Sequence, residues 1–193
     1  IFEAWAKGET GYPMIDACMR ALLATSWINF RMRAMLVSFA SYDLWLPWQH
    51  TARHLAKHFL DFEPGIHYSQ VQMQSGTTGI NTIRIYNPTK QLQDHDPDGA
   101  FVKKYLPELD RVPKEYLAEP WTMPLKLQKE VSCIIGKDYA HPIVDHATAA
   151  KSARQRLGAV RRSAPAKAEA KEVLAKHGSR KRPSRRRSHH EDD

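Results

Sequence analysis

Read as a pattern of apolar and polar positions, the first third of the chain is helical and largely buried. Met14, Ile15, Ala17, Cys18, Ala21, Leu22 and Leu23 follow Tyr12-Pro13 in a dense apolar run. Pro13, two residues after Gly11, suits the first helical turn, where its missing N–H has no partner to lose. Thr25-Ser26 predicts a break with a fresh N-cap. A second helix is expected over 27–43, carrying Trp27, Phe30, Met32, Met35, Leu36 and Phe39 around nearly its whole circumference, as a buried helix requires. A third, over 49–60, places Leu55, Ala56 and Phe59 on one side and Arg53, His54, Lys57 and His58 around it. Weaker helical patterns return over 99–105, 125–135 and 141–157. β-Branched residues are sparse outside 77–85, and no alternating run of useful length occurs. The pattern predicts an all-α body with long ordered connections and no internal repeat.

One stretch resists this reading. "FLDFEPGIHYSQVQMQSGTTGINTIRIYNP", residues 59–88, sets Asp61 and Glu63 one residue apart, then Pro64-Gly65, His67 and a run of Gln, Ser, Gly and Thr. Ile66, Tyr68, Val71, Met73, Ile80, Ile83, Ile85 and Tyr86 are scattered through that polarity. Thirty residues of ordered loop in a compact helical body point to a functional element. The two carboxylates suit acid–base work, metal ligation or ion pairing. With no third carboxylate and no histidine pair at ligand spacing, metal fits poorly. Just upstream, Arg31 and Arg33 lie inside the buried pattern. A buried guanidinium needs a carboxylate or a phosphate. Their spacing of two turns them to opposite sides of a helix, so they need different partners. Asp61 or Glu63 is a ready partner for Arg33. His67 by itself reads as a hydrogen-bonding residue, and 70–79 as a surface presenting amides and backbone.

Charge changes the picture at one end. The net charge is +8, yet residues 151–193 hold fourteen Lys/Arg against five Asp/Glu, while the first 150 hold fifteen against sixteen. A neutral body carries a basic tail. Few apolar residues there predict disorder beyond about residue 160, apart from a short helix over 166–176. Arg180-Lys181-Arg182 and Arg185-Arg186-Arg187 would attract phosphate, or merely solubilise the chain. The two cysteines, Cys18 and Cys133, stand far apart outside any CxxC, so neither a disulfide framework nor a zinc site is indicated and a reducing, cytoplasmic setting is expected. No window approaches the ~20 apolar residues of a membrane span. The start, Ile1-Phe2-Glu3-Ala4-Trp5, reads as mid-helix sequence and not as a signal peptide, as in a piece of a longer chain.

Eight motifs are more specific than composition. In order, "GETGYPMIDACMRAL", "TSWINFRMRAMLVSFASYDL", "LPW", "LDFEPGIHYSQ", "RIYNPTKQ", "DPDGAFVKKYLPEL", "EPW" and "HPIVDH" resemble the DNA photolyase and cryptochrome family, over residues 1–147. The resemblance covers the C-terminal half of that family's helical FAD-binding domain, with 148–193 as a tail beyond it. It implies FAD as cofactor, held by Arg33, Asp61, Phe62, Glu63, His67 and Trp27, with Arg33 and Asp61 paired beside the isoalloxazine ring and His67 near its N5. It implies a light-driven reaction in which reduced, excited FAD passes an electron to a pyrimidine dimer, which splits and returns it. Phe30, Arg31, Lys90 and Gln91 fall where the family touches damaged DNA, and Tyr68 and Met73 are candidates for lining the dimer pocket. Trp48 matches the middle tryptophan of the family's electron relay, but the position nearest the flavin is Val71, leaving Trp45 or Tyr68 as substitutes. An iron–sulfur branch needs four cysteines, and this chain has two. The expected protein is a monomer, off the membrane, reaching an antenna pigment only through an N-terminal domain. Repair of cyclobutane dimers and blue-light sensing without repair are both compatible with these residues.

Overall fold

The structure, a computed structural model, describes residues 1–78 and 82–177. Its described residues form α1 (Phe2–Lys7), α2 (Pro13–Thr25), α3 (Phe30–Ser38), α4 (Trp48–Ala56), α5 (Pro64–Gln74), α6 (Pro88–His95), α7 (Ala100–Tyr105), α8 (Lys114–Leu117), α9 (Leu125–Glu130), α10 (His146–Arg162) and α11 (Ala164–His177). Two 3-10 turns, Pro107–Leu109 and Pro120–Thr122, interrupt the second half. Among the described residues no strand forms, and the all-α expectation holds.

The core gathers around α2, which packs against α1, α3, α6 and α7. Pro13, Met14, Ile15, Ala17, Cys18, Met19, Ala21 and Leu22 are buried, and so is one acid, Asp16. A carboxylate without partners would be very costly there. Asp16 instead accepts from the Thr10 N–H at 2.8 Å and hydroxyl at 2.6 Å, from the Gly11 N–H at 3.0 Å, and from the Tyr139 hydroxyl at 2.6 Å. Burial pushes its carboxyl above the ordinary range, while the bonds from Thr10, Tyr139 and Gly11 pull it back. The same turn holds the segment after Tyr139. The Ile143 N–H donates to the Thr10 carbonyl, and the Tyr12 hydroxyl donates to the Val144 carbonyl and accepts from the His146 N–H. Gly11 sits at φ +81°, and a Cβ there would meet the His141 carbonyl at 2.4 Å, so only glycine fits. Residues some 130 apart are thereby locked together.

Several helices are shorter than expected, each for a local reason. The break after α2 falls at Ser26 as a left-handed C-cap, φ 57°, and the cap of the next helix is Asn29, whose side chain accepts from the Met32 N–H. Trp27 and Ile28 therefore precede α3. α3 ends in a π-helical turn, Phe39–Asp43, in which the Leu44 N–H reaches the Phe39 carbonyl five residues back. α4 stops at Ala56, and the Leu60 N–H turns back onto the Ser26 carbonyl.

Two expectations need correcting. Residues 59–88 are not one long loop, because α5 occupies 64–74. Glu63 caps it through the Ile66 N–H at 2.8 Å and Pro64 fills its first turn. The tail carries the expected short helix as α11, Ala164–His177, but helix also extends past residue 160, where α10 runs to Arg162. The remainder of the expected disorder, over 178–193, lies outside the described residues. α10 buries Ala150 and Ala153, is capped by Asp145, and binds the π-turn through a His146 Nδ1 to Asp43 hydrogen bond.

Asp16→Ala leaves four donors facing a void. At about 1–3 kcal/mol for a stranded buried group, the loss should reach at least about 3 kcal/mol. Thermal unfolding followed by circular dichroism should show a midpoint lower by roughly 6–12 °C. A fall under about 2 °C would mean Asp16 is not a structural hub.

Candidate functional site

α3 presents two different faces. Phe30, Arg33, Ala34 and Val37, spaced i, i+3, i+4, i+7, line one side of a cleft of about 180 Å³. Across it, α5 presents His67, Gln70, Val71 and Gln74 at the same spacing, with Ile66 beside them. Leu55 of α4 and Phe59 floor the space, and the 61–63 connection closes its rim. The walls are mostly apolar, with a few polar groups converging on them, as small-molecule sites usually are.

The polar groups are placed by what holds them. The Arg33 Nε donates to the Ile28 carbonyl at 2.8 Å, and its guanidinium lies 4.2 Å from the centre of the Phe59 ring. One terminal nitrogen then donates to both Asp61 oxygens, at 3.0 and 2.9 Å. Arg33 thus has the carboxylate partner that the sequence argument required. The pair is not buried, however: Asp61 remains 52% exposed and Arg33 25%. The 61–63 connection leaves it at the cleft mouth, where water reaches it. The bond from Arg33 holds the Asp61 carboxyl below its ordinary range. Glu63 caps α5 while also lining the cleft.

His67 is buried at 8% exposure, with Nε2 2.9 Å from the Ala52 carbonyl. A carbonyl only accepts, so Nε2 carries the proton and Nδ1 is left as an acceptor. Burial lowers the His67 pKa, outweighing the bond to Ala52, and the ring is neutral at pH 7. Phe59, Phe62 and Tyr68 pack edge-on around it, at centroid distances of 5.7, 5.3 and 5.2 Å. The side-chain amide oxygen of Gln70, a residue that lines the cleft, is buried with no partner. An orphaned acceptor beside apolar walls calls for a ligand donor. Sequence reasoning had no signal for Gln70 beyond the general polarity of 70–79.

The remaining expected residues fall elsewhere. Phe62 lines the cleft and Phe30 forms its outer edge, 60% exposed. Trp27 is exposed outside it, and Trp48 borders a separate hollow with Tyr42, Trp45 and Ser75. Arg31 turns to the opposite side of α3 from Arg33. There it shares a hollow with Gln91, Asn29, Met32, His95 and Phe101. Lys90 is not in that hollow and pairs with Asp94 at 3.1 Å. Among the described residues no cluster of three or more His, Cys, Asp and Glu could hold a metal ion.

The cleft fits a flat heteroaromatic ring system: two apolar walls, an ion pair at one edge, and an unmatched acceptor at another. Comparison with known proteins names the same class of ligand. The family model "FAD binding domain of DNA photolyase" matches residues 1–159. Over 152 residues the chain is 36% identical to a deoxyribodipyrimidine photo-lyase of Alkalihalophilus pseudofirmus, covering 78% of this chain and 32% of that protein. It is 37% identical over 160 residues to a (6-4)DNA photolyase of Oryza sativa subsp. japonica, covering 82% and 29%. The crystal structure of a Synechocystis sp. cryptochrome superposes with a TM-score of 0.76 at 30% identity, covering 80% of this chain and 32% of that one. The chain thus spans about a third of the length of the relatives it matches. On the match of the family model for the FAD-binding domain over most of its length, this chain belongs to the DNA photolyase and cryptochrome family.

Proposed function

We propose that this chain supplies the ring-binding and lesion-facing part of a light-dependent DNA repair lyase that splits cyclobutane pyrimidine dimers. FAD, when bound, supplies the light-absorbing electron donor. The protein's own contribution is positioning and exclusion of water. Arg33 and Asp61 fix the edge of the ring, Gln70 accepts a hydrogen bond from it, and Val37, Leu55, Phe59 and Val71 keep the pocket dry. Neutral His67 offers Nδ1 as an acceptor without adding a positive charge. The single observation that carries the repair reading is Arg31. It is an exposed guanidinium on the same short helix as the cleft, aimed away from Arg33 and sharing a hollow with the side-chain amides of Asn29 and Gln91. That set suits a phosphate and a base edge of a damaged strand. The two free thiols, Cys18 and Cys133, are buried, which suits a reducing, cytoplasmic setting.

A sensing reading without repair also has an observation behind it. Lys90 is neutralised by Asp94, so the face beyond Arg31 is less basic than a strong DNA groove. Dimer-containing DNA under blue light separates the two. Repair predicts light-dependent loss of dimers by the flavin-loaded protein. Arg31→Ala should then weaken binding of the damaged strand by about tenfold, with the flavin spectrum unchanged. Loaded protein that leaves the dimers intact would overturn the repair reading in favour of sensing.

Neutral His67 has a pH consequence. A histidine whose pKa is lowered on folding contributes stability that is complete above its ordinary value of 6.5 and is lost as pH falls through the lowered one. Proton NMR titration of His67 should give a midpoint below 6.5, and His67→Gln should flatten the stability profile between about pH 5 and 7. A midpoint above 6.5 would place a positive charge in the cleft and contradict this arrangement.

A further inference from the structure

α10 leaves the body with its cations pointing two ways. Ala150 and Ala153 are buried against the fold. Arg154 is close enough for its charge to act on buried Asp43, and the Arg156 guanidinium lies 4.9 Å from the centre of the Trp45 ring. Those two arginines face the body. Lys151 and Arg162 lie on the other side of the helix and are exposed. On α11 no described residue is buried, and Lys167 and Lys171 stand exposed one turn apart. No carboxylate of the described chain lies within ion-pair distance of Lys151, Arg162, Lys167 or Lys171. Over 151–187 the sequence holds fourteen Lys/Arg and two acids, Glu169 and Glu172.

A fourteen-residue helix with no buried side chain among its described residues gains little from packing, and isolated helices of this length are marginal in water. Lys167 and Lys171, four residues apart, repel one another. A polyanion would relieve that repulsion. A membrane surface would need a stripe of large apolar residues, and the exposed large apolar residues on these two helices are Val160 and Leu174. A phosphate backbone needs only cations spread along an extended element.

We propose that the outward face of α10, together with α11, forms an arm that binds the phosphate backbone of duplex DNA without regard to sequence or damage. The arm contributes no residue to the lining of the cleft or of the hollow at Arg31. Its cations release counterions from the duplex and hold the chain near DNA, where a separate site can sample for its target. The arm goes beyond the repair reading, and its test requires neither light nor a lesion, so each can fail without the other.

The test is fluorescence anisotropy of a labelled, undamaged duplex, in the dark, across a salt series. The chain should bind with an affinity that falls linearly on log–log axes as salt rises. The variant Lys151→Gln/Arg162→Gln/Lys167→Gln/Lys171→Gln should lose roughly 0.9 of that slope for each phosphate contact removed, and at least about tenfold in affinity at low salt. Lys167→Gln/Lys171→Gln, confined to a helix with no buried residue, should move both in the same direction even if the larger set disturbs folding. Unchanged affinity and slope in both variants would overturn the proposal. So would variants that lose binding to vesicles of anionic phospholipid but not to the duplex.

Discussion

The fold depends on one carboxylate. Asp16 sits in the apolar face of α2, the helix that α1, α3, α6 and α7 pack on, and is tolerable there because four donors converge on it. Those donors come from the turn before α2 and from Tyr139, 123 residues away in sequence. Meeting the hydrogen-bond demand of one buried acid therefore joins the two ends of the body. The bonds of the Thr10 carbonyl and the Tyr12 hydroxyl with 143–146 extend that junction to the start of α10. There His146 reaches back to Asp43 at the end of the π-turn that continues α3. α3, and so the cleft wall it forms, is tied to the same junction through that bond.

α3 converts that order into two kinds of recognition. Nine residues are enough to aim Arg33 into an apolar cleft and Arg31 into a polar hollow, because positions two apart on a helix lie on different sides. The cleft's guanidinium is fixed at three points: the Ile28 carbonyl, the Phe59 ring and Asp61. Such anchoring leaves Arg33 little freedom to lose when a ligand arrives. Arg31, in the hollow, has no equivalent anchoring.

Much of this was legible in the sequence. The apolar density of α2, the proline at its start and the demand of Arg33 for a carboxylate each follow from residue type and spacing. α5 was obscured because its cleft-facing stripe, Ile66, His67, Gln70, Val71 and Gln74, is too polar to read as a core-facing helix, and Pro64-Gly65 resembles a turn. Glu63-Pro64 is in fact a helix start, with the acid as cap and the proline in the first turn. The polarity that hid the helix is what makes it a binding wall. Asp16 was unreadable as a hub for a different reason: three of its four donors are local, but the fourth comes from Tyr139, and no local pattern encodes that contact. Gln70 was missed because a stranded acceptor exists only once both walls are in place.

The central claim is that the space between α3 and α5 holds the flavin ring. It is tested most directly by titrating the purified chain with FAD and following the visible absorption band. The account predicts saturable binding at one site per chain, weakened about tenfold or more by Arg33→Ala as a charge-assisted bond is lost. Binding that fails to saturate, or that is indifferent to Arg33→Ala, would contradict it.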